Sequence, residues 1–185
     1  MTIILATGLI ALTIILIVCV IASIGVKATN NFKRLDIKVN ESLSDIDVAL
    51  QKRYSVLTKS FDVASKYAQF ERETILKTIE MRHNKSFGSL QQESLRMDSA
   101  QRYLFALAEN YPALGASAQF IELQKAIADT EEHLQAARRA YNANVSAFNQ
   151  AIVVFPNSLF AGKYEKKPMF AATNTQDVTF GSILK

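Results

Sequence analysis

FIELQKAIADTEEHLQAARRAYNANVSAFNQAIVVF, residues 120–155, decides the fold. Phe120, Ile127, Leu134, Tyr141, Phe148 and Phe155 fall at intervals of seven, interleaved with Leu123, Ala137, Val145 and Ile152. On a helix of about 3.6 residues per turn, such a stripe stays against its neighbours only if the helices supercoil left-handedly. The spacing predicts one helix from Ser117 to Val154, about 57 Å long at 1.5 Å per residue. Phe155-Pro156 should end it, because a residue before proline is pushed out of the α region. The aromatic line reads first as the core of the chain's own bundle and second as an interface to a neighbouring subunit. Asn142 and Asn149 follow Tyr141 and Phe148 at the same spacing. Buried, they must be hydrogen-bonded and would fix helix register; exposed, they would suit pairing with another chain.

Outward from this helix, Tyr111-Pro112-Ala113-Leu114-Gly115 reads as a turn. Before it, Leu90, Leu95, Tyr103, Leu104 and Leu107 supply the apolar side of a helix over Ser89–Asn110. His83-Asn84-Lys85-Ser86-Phe87-Gly88 breaks the chain, since Gly and Asn end helices at low cost. Upstream, Ala28 to Arg82 holds no Pro or Gly. Phe32, Leu35, Val39, Leu43, Ile46, Leu50, Leu57, Phe61, Ala64, Ala68, Ile75 and Ile79 make an amphipathic stripe, predicting a helix throughout. The stripe shifts sideways at Arg53 and Tyr54, where a kink or stutter is expected.

Ile3 to Val26 reads IILATGLIALTIILIVCVIASIGV and carries no charge. As a helix of about 36 Å it would span a hydrocarbon core about 30 Å thick, with some tilt. A cleaved signal peptide fits less well, because no basic region precedes the run and the run is longer than a signal's apolar core. Lys27, Lys33, Arg34 and Lys38 follow at once, so the positive-inside rule puts the C-terminal side in the cytoplasm and Met1 outside. These four cations either set topology alone or also bind anionic lipid headgroups. The expected organisation is an anchor over 3–26, a helical bundle over 27–156 and an amphipathic tail over 157–185. The tail mixes Leu159, Phe160, Tyr164, Met169, Phe170 and Phe180 with Lys163, Lys166 and Lys167. It is too apolar for a solvated tail and should dock on the bundle or a neighbour. No segment alternates with period two, so the fold is expected to be all-α: a transmembrane helix followed by an elongated antiparallel three- to four-helix bundle.

The net charge of +4 is unevenly spread. Residues 27–38 and 157–185 are basic and the stretch between is balanced, which is not a nucleic-acid footprint. The one cysteine, Cys19, lies in the apolar run, so no intramolecular disulfide can form. Chemistry is scarce. His83 and His133 sit on different segments without metal-type spacing, and no glycine-rich phosphate loop occurs. Asp45 and Asp47 diverge on a helix, as do Glu131 and Glu132. No catalytic, cofactor-binding or metal-binding residues are assigned, and no enzyme activity is expected.

Ile46-Asp47-Val48, Leu50 and Lys52-Arg53-Tyr54, continued by Tyr67-Ala68 and Glu71-Arg72-Glu73-Thr74, form one set of recognisable positions. Tyr111-Pro112, Phe120, Leu123-Gln124, Thr130-Glu131, Ala137-Arg138, Tyr141-Asn142, Val145, Phe148-Asn149 and Phe155-Pro156 form a second. With Asn30 just past the apolar run, they resemble the LemA family over most of the chain. The chain departs from that pattern at Leu43, where the family usually has Trp. It departs again at Leu57-Thr58-Lys59-Ser60-Phe61, which replaces a proline-containing segment. The resemblance implies a bacterial, membrane-anchored helical bundle without established enzymatic chemistry. Some relatives are associated with membrane invagination in magnetosome formation, which makes membrane shaping an expectation by analogy. The resulting reading is a non-enzymatic scaffold on the inner (plasma) membrane that self-associates as a homo-oligomer. The lipid bilayer is its partner, without cofactor, small-molecule substrate or nucleic acid. The alternative is a monomeric adaptor presenting its bundle or tail to a membrane protease or signalling partner.

Overall fold

The computed structural model describes residues 2–81 and 86–171, with side chains from Gly8 onward. Its elements are α1 (Thr2–Ala64), α2 (Arg72–Ile79), α3 (Phe87–Asn110), α4 (Pro112–Gly115) and α5 (Ala118–Val153), followed by a 3-10 turn, Asn157–Phe160. The fold is all-α, and no strand occurs among the described residues. His83, Phe180 and the tail beyond residue 171 lie outside them.

The apolar run and the amphipathic stripe form one uninterrupted helix, α1, which passes through Gly25, Asn30 and Arg53. A single glycine costs a helix only about 1 kcal/mol, too little to break one that continues for many turns on either side. α1 is long and apolar enough to cross a membrane, and its most apolar window of 18 residues is 0% buried by the rest of the chain.

The predicted continuation of that helix to Arg82 is corrected. α1 ends at Ala64, and the chain turns over residues 65–71 before α2 begins. No Gly or Pro marks this turn; tertiary contacts close it. Phe70 folds back so that its ring lies 5.9 Å from Phe61 and 6.3 Å from Tyr103. Arg72 Nε donates to Asp62 Oδ1 at 2.7 Å. A straight helix would carry Ile75 and Ile79 away from the core; after the turn both are buried. Packing has overridden local propensity.

The remaining borders have local causes. Ser86 caps α3, its hydroxyl accepting from the Ser89 N–H at 3.3 Å. α3 stops at Asn110 because Tyr111 precedes a proline. The turn at 111–115 tightens into the one-turn α4 and buries Leu114. Leu95, expected on the apolar side of α3, is exposed, while Met97 and Ala100 are buried there.

The described chain forms two compact units, and α1 and α5 each contribute to both. One unit comprises Met1–Asn40 with Asn142–Met169; its core is Ala28, Phe32, Val39, Val145, Phe148, Ile152 and Ala161. The other holds Glu41–Tyr141 with Phe170. Its core takes Ile46, Leu50, Leu57 and Phe61 from α1, Leu90, Met97 and Leu104 from α3, and Phe120, Ile127, Leu134 and Tyr141 from α5.

Candidate functional site

Charge is buried in the middle of the larger unit. Arg53 stands three residues after Leu50 and four before Leu57, so the helical period turns it inward with them. It is 1% exposed. Its Nη1 lies 2.6 Å from Asp98 Oδ1 of α3, an ionic contact off the hydrogen-bond line. Its Nη2 donates to Gln101 Oε1 at 2.9 Å and lies 3.2 Å from Glu131 Oε2 of α5. Arg138, four residues after Leu134, is likewise interior. It donates to the Ser94 hydroxyl on α3, and its guanidinium carbon lies 5.7 Å from the centre of the Phe170 ring.

The two guanidinium groups and two carboxylates balance in charge and join α1, α3 and α5. Burial pushes the Arg138 pKa down; Asp98 and Glu131 pull it back up, and Arg53 adds to the lowering. An arginine with a lowered pKa still holds its proton at any physiological pH, so Arg138 cannot serve as an acid or base. The arrangement is suited to fixing helix register. Burying two charges gains little net stability, but the pairs form only when the three helices are correctly aligned. Among the described residues no cluster of His, Cys, Asp and Glu is placed to hold a metal ion. His133 is exposed on α5.

Tyr141 closes the same region, its ring 5.8 Å from Phe87 and 5.2 Å from Phe170. Burial raises its pKa above the ordinary phenol value. The folded state therefore holds this proton more tightly than the unfolded chain does. The linked stability is fully present below the ordinary phenol pKa and is lost as pH rises from there through the folded value. Tyr141→Phe should accordingly flatten the alkaline fall in stability, as read by thermal melts on either side of about pH 10.

In the smaller unit the chain after α5 returns as a strap beside α1. The Phe160 ring packs on Gly25, where an added Cβ would come within 2.8 Å of it. Tyr164 meets Phe32 at 5.1 Å and Phe148 at 6.0 Å between ring centres. Lys167 Nζ lies 2.7 Å from Asp36 Oδ1 and 5.3 Å from the Phe148 ring centre. Asn149 binds the Lys167 backbone twice, donating to its carbonyl at 2.9 Å and accepting from its N–H at 2.8 Å. The asparagine thus holds the strap instead of setting helix register. Asn149→Ala should cost about 1–3 kcal/mol, because it leaves half-buried backbone groups unpaired. Trypsin cleavage after Lys163 and Lys166 should speed up in this variant.

Of the aromatic line, Phe120, Ile127, Leu134, Tyr141 and Phe148 are buried. Phe155 departs from the line: it is 75% exposed, because α5 ends at Val153 and the helical register that would turn Phe155 inward ends with it. Lys27, Lys33, Arg34 and Lys38 are all exposed on α1. Sequence reasoning passed over Arg53, Asp98, Glu131 and Arg138 as functional positions. The available signal was a charged residue at an interior helical position, clearest at Arg53 and Arg138.

The sequence profile of the LemA family matches residues 42–180, well over half of the chain, and includes the whole charge cluster. The matched stretch begins after the apolar run. Among curated proteins, Protein LemA of Metamycoplasma hominis is 28% identical over 141 residues, covering 74% of this chain and 64% of that protein. The chain therefore matches just under two thirds of that relative's length, and the relative's name states no activity. With the family match spanning both the buried arginines and the aromatic line of α5, this chain belongs to the LemA family.

Proposed function

We propose that the protein is a non-enzymatic scaffold, anchored in the cell's inner membrane by the first part of α1, with its helical remainder at the cytoplasmic face. One observation carries this reading: the apolar window of α1 is 0% buried by the described chain, with Phe160 resting on Gly25 near its end. An uncovered apolar helix of this length is at low free energy only in lipid. The exposed Lys27, Lys33, Arg34 and Lys38 favour a cytoplasmic C-terminal side. The buried charge cluster supports a structural role, since its arginines are committed to holding helices together. Confinement to a membrane raises the effective concentration of copies for one another, which favours self-association into a scaffold that organises or shapes the bilayer.

The test is the mass and shape of the full-length protein in mild detergent and then in lipid. Rings, domes or other multi-subunit assemblies are expected. A monomer at every concentration in both media would overturn self-association and leave the adaptor reading.

A further inference from the structure

The end of α5 carries an apolar surface that the described residues leave bare. Phe155 is 75% exposed and Leu159 is 70% exposed, and Val153 and Val154 beside them are more than half exposed. Four large apolar side chains within seven residues form an exposed patch of a kind that marks an interaction surface. The same turn points Phe160 the other way, onto Gly25.

Gly25 gives the turn its level along α1. It stands one residue before the end of the uncharged run Ile3–Val26. From there the strap climbs away from the run: Tyr164 meets Phe32, about 10 Å beyond Gly25 along the helix, and Lys167 meets Asp36, about 16 Å beyond it. Asn144 of α5 donates to the Lys38 carbonyl, further along again, so α5 descends toward Gly25 as the strap ascends from it. The bare patch therefore lies beside the last turn of the apolar run. Lys27 on α1 and Lys163 on the strap are both exposed just past this level. Apolar tips with a collar of lysine match a lipid leaflet, with acyl chains below and anionic headgroups above.

From this juxtaposition we infer a second membrane contact: the turn 153–160 inserts Val153, Val154, Phe155 and Leu159 into the leaflet that the apolar run of α1 leaves. The inference rests on the reading of that run as a membrane span and adds to it. A single helix in a bilayer is free to tilt and to rotate about its axis. A second insertion point, fixed to α1 through Phe160 on Gly25, restrains both motions and holds this unit against the surface in one orientation.

The chain contains no tryptophan, so one introduced indole reports on one site. Four single variants of the full-length protein would be reconstituted into phosphatidylcholine–phosphatidylglycerol vesicles whose acyl chains carry bromine, a contact quencher. Leu16→Trp lies within the span, Phe155→Trp and Leu159→Trp lie on the turn, and Ile37→Trp lies on an exposed face of α1 beyond it. The two turn variants should be quenched to the same order as Leu16→Trp and several-fold more than Ile37→Trp. All four sites are exposed on the protein, so the substitutions leave the core intact; circular dichroism checks this. If Leu16→Trp is quenched and the turn variants only as weakly as Ile37→Trp, the second contact is overturned and the span stands. Blue-shifted but unquenched emission from the turn also overturns it, placing a second copy of the chain on the patch. An unquenched Leu16→Trp removes the span and the inference with it.

Discussion

Arg53→Ala should destabilise the folded protein by about 3–5 kcal/mol, the usual cost of removing one partner from a buried ionic group. The substitution leaves Asp98 and Glu131 facing the place of a cation, and it leaves Gln101 without its donor. For a chain of this size the loss lowers Tm on the order of 10 °C, read by circular dichroism of the full-length protein in mild detergent. Arg53→Lys should recover only part of it, because an ammonium cannot reach α3 and α5 with a planar fork. A second experiment separates charge from volume. Arg53→Met combined with Glu131→Met removes one cation and one carboxylate and leaves Asp98 to offset the buried Arg138. That double variant should be more stable than Arg53→Ala, since well-packed apolar replacements of buried ion pairs are often neutral or stabilising. If the double variant is as unstable as Arg53→Ala, the Arg53–Glu131 contact has no electrostatic role.

Phe148→Ala should cost about 3–5 kcal/mol as well, by a different mechanism. Phe148 is 1% exposed, with Tyr164 against its ring and Lys167 over its face. Truncation opens a cavity beneath the strap and removes the surface on which Tyr164 rests. The expected signature is therefore double: a lower Tm, and earlier proteolysis of the strap than of the helices. Phe148→Leu, which keeps most of the volume, should show a much smaller loss of both kinds. An unchanged melt with loss of assembly would instead move Phe148 to a subunit contact.

The two sites differ in how far the sequence discloses them. Phe148 belongs to a repeat of seven, and a repeat is a local property that any reader of the chain can count. Arg53 and Arg138 also occupy interior positions of their helices, but residue type argues against burial, and the sideways shift of the stripe at Arg53 hides the position further. What makes their burial tolerable is supplied from afar. Gln101 is 48 residues from Arg53, and Ser94 is 44 from Arg138. Asn149 is similar: its spacing announces a polar residue on a buried face, while its partner, the Lys167 backbone, belongs to a segment without helical periodicity.

By itself the sequence determined the all-α class, the uncharged run of α1, the helices α3 and α5 to within about two residues, and the family. The helices and the class depend on short-range physics: the side-chain period of a helix and the backbone limits set by proline. The tertiary structure decided the rest. It ended α1 at Ala64, where no breaker residue stands, because Phe70 and Arg72 find partners on Phe61, Tyr103 and Asp62. It turned Phe155 outward by stopping α5 two residues short of it, and it brought Phe160 to Gly25 and Lys167 to Asp36. These outcomes are sums of contacts between distant segments, and their energies exist only once the chain has brought those segments together.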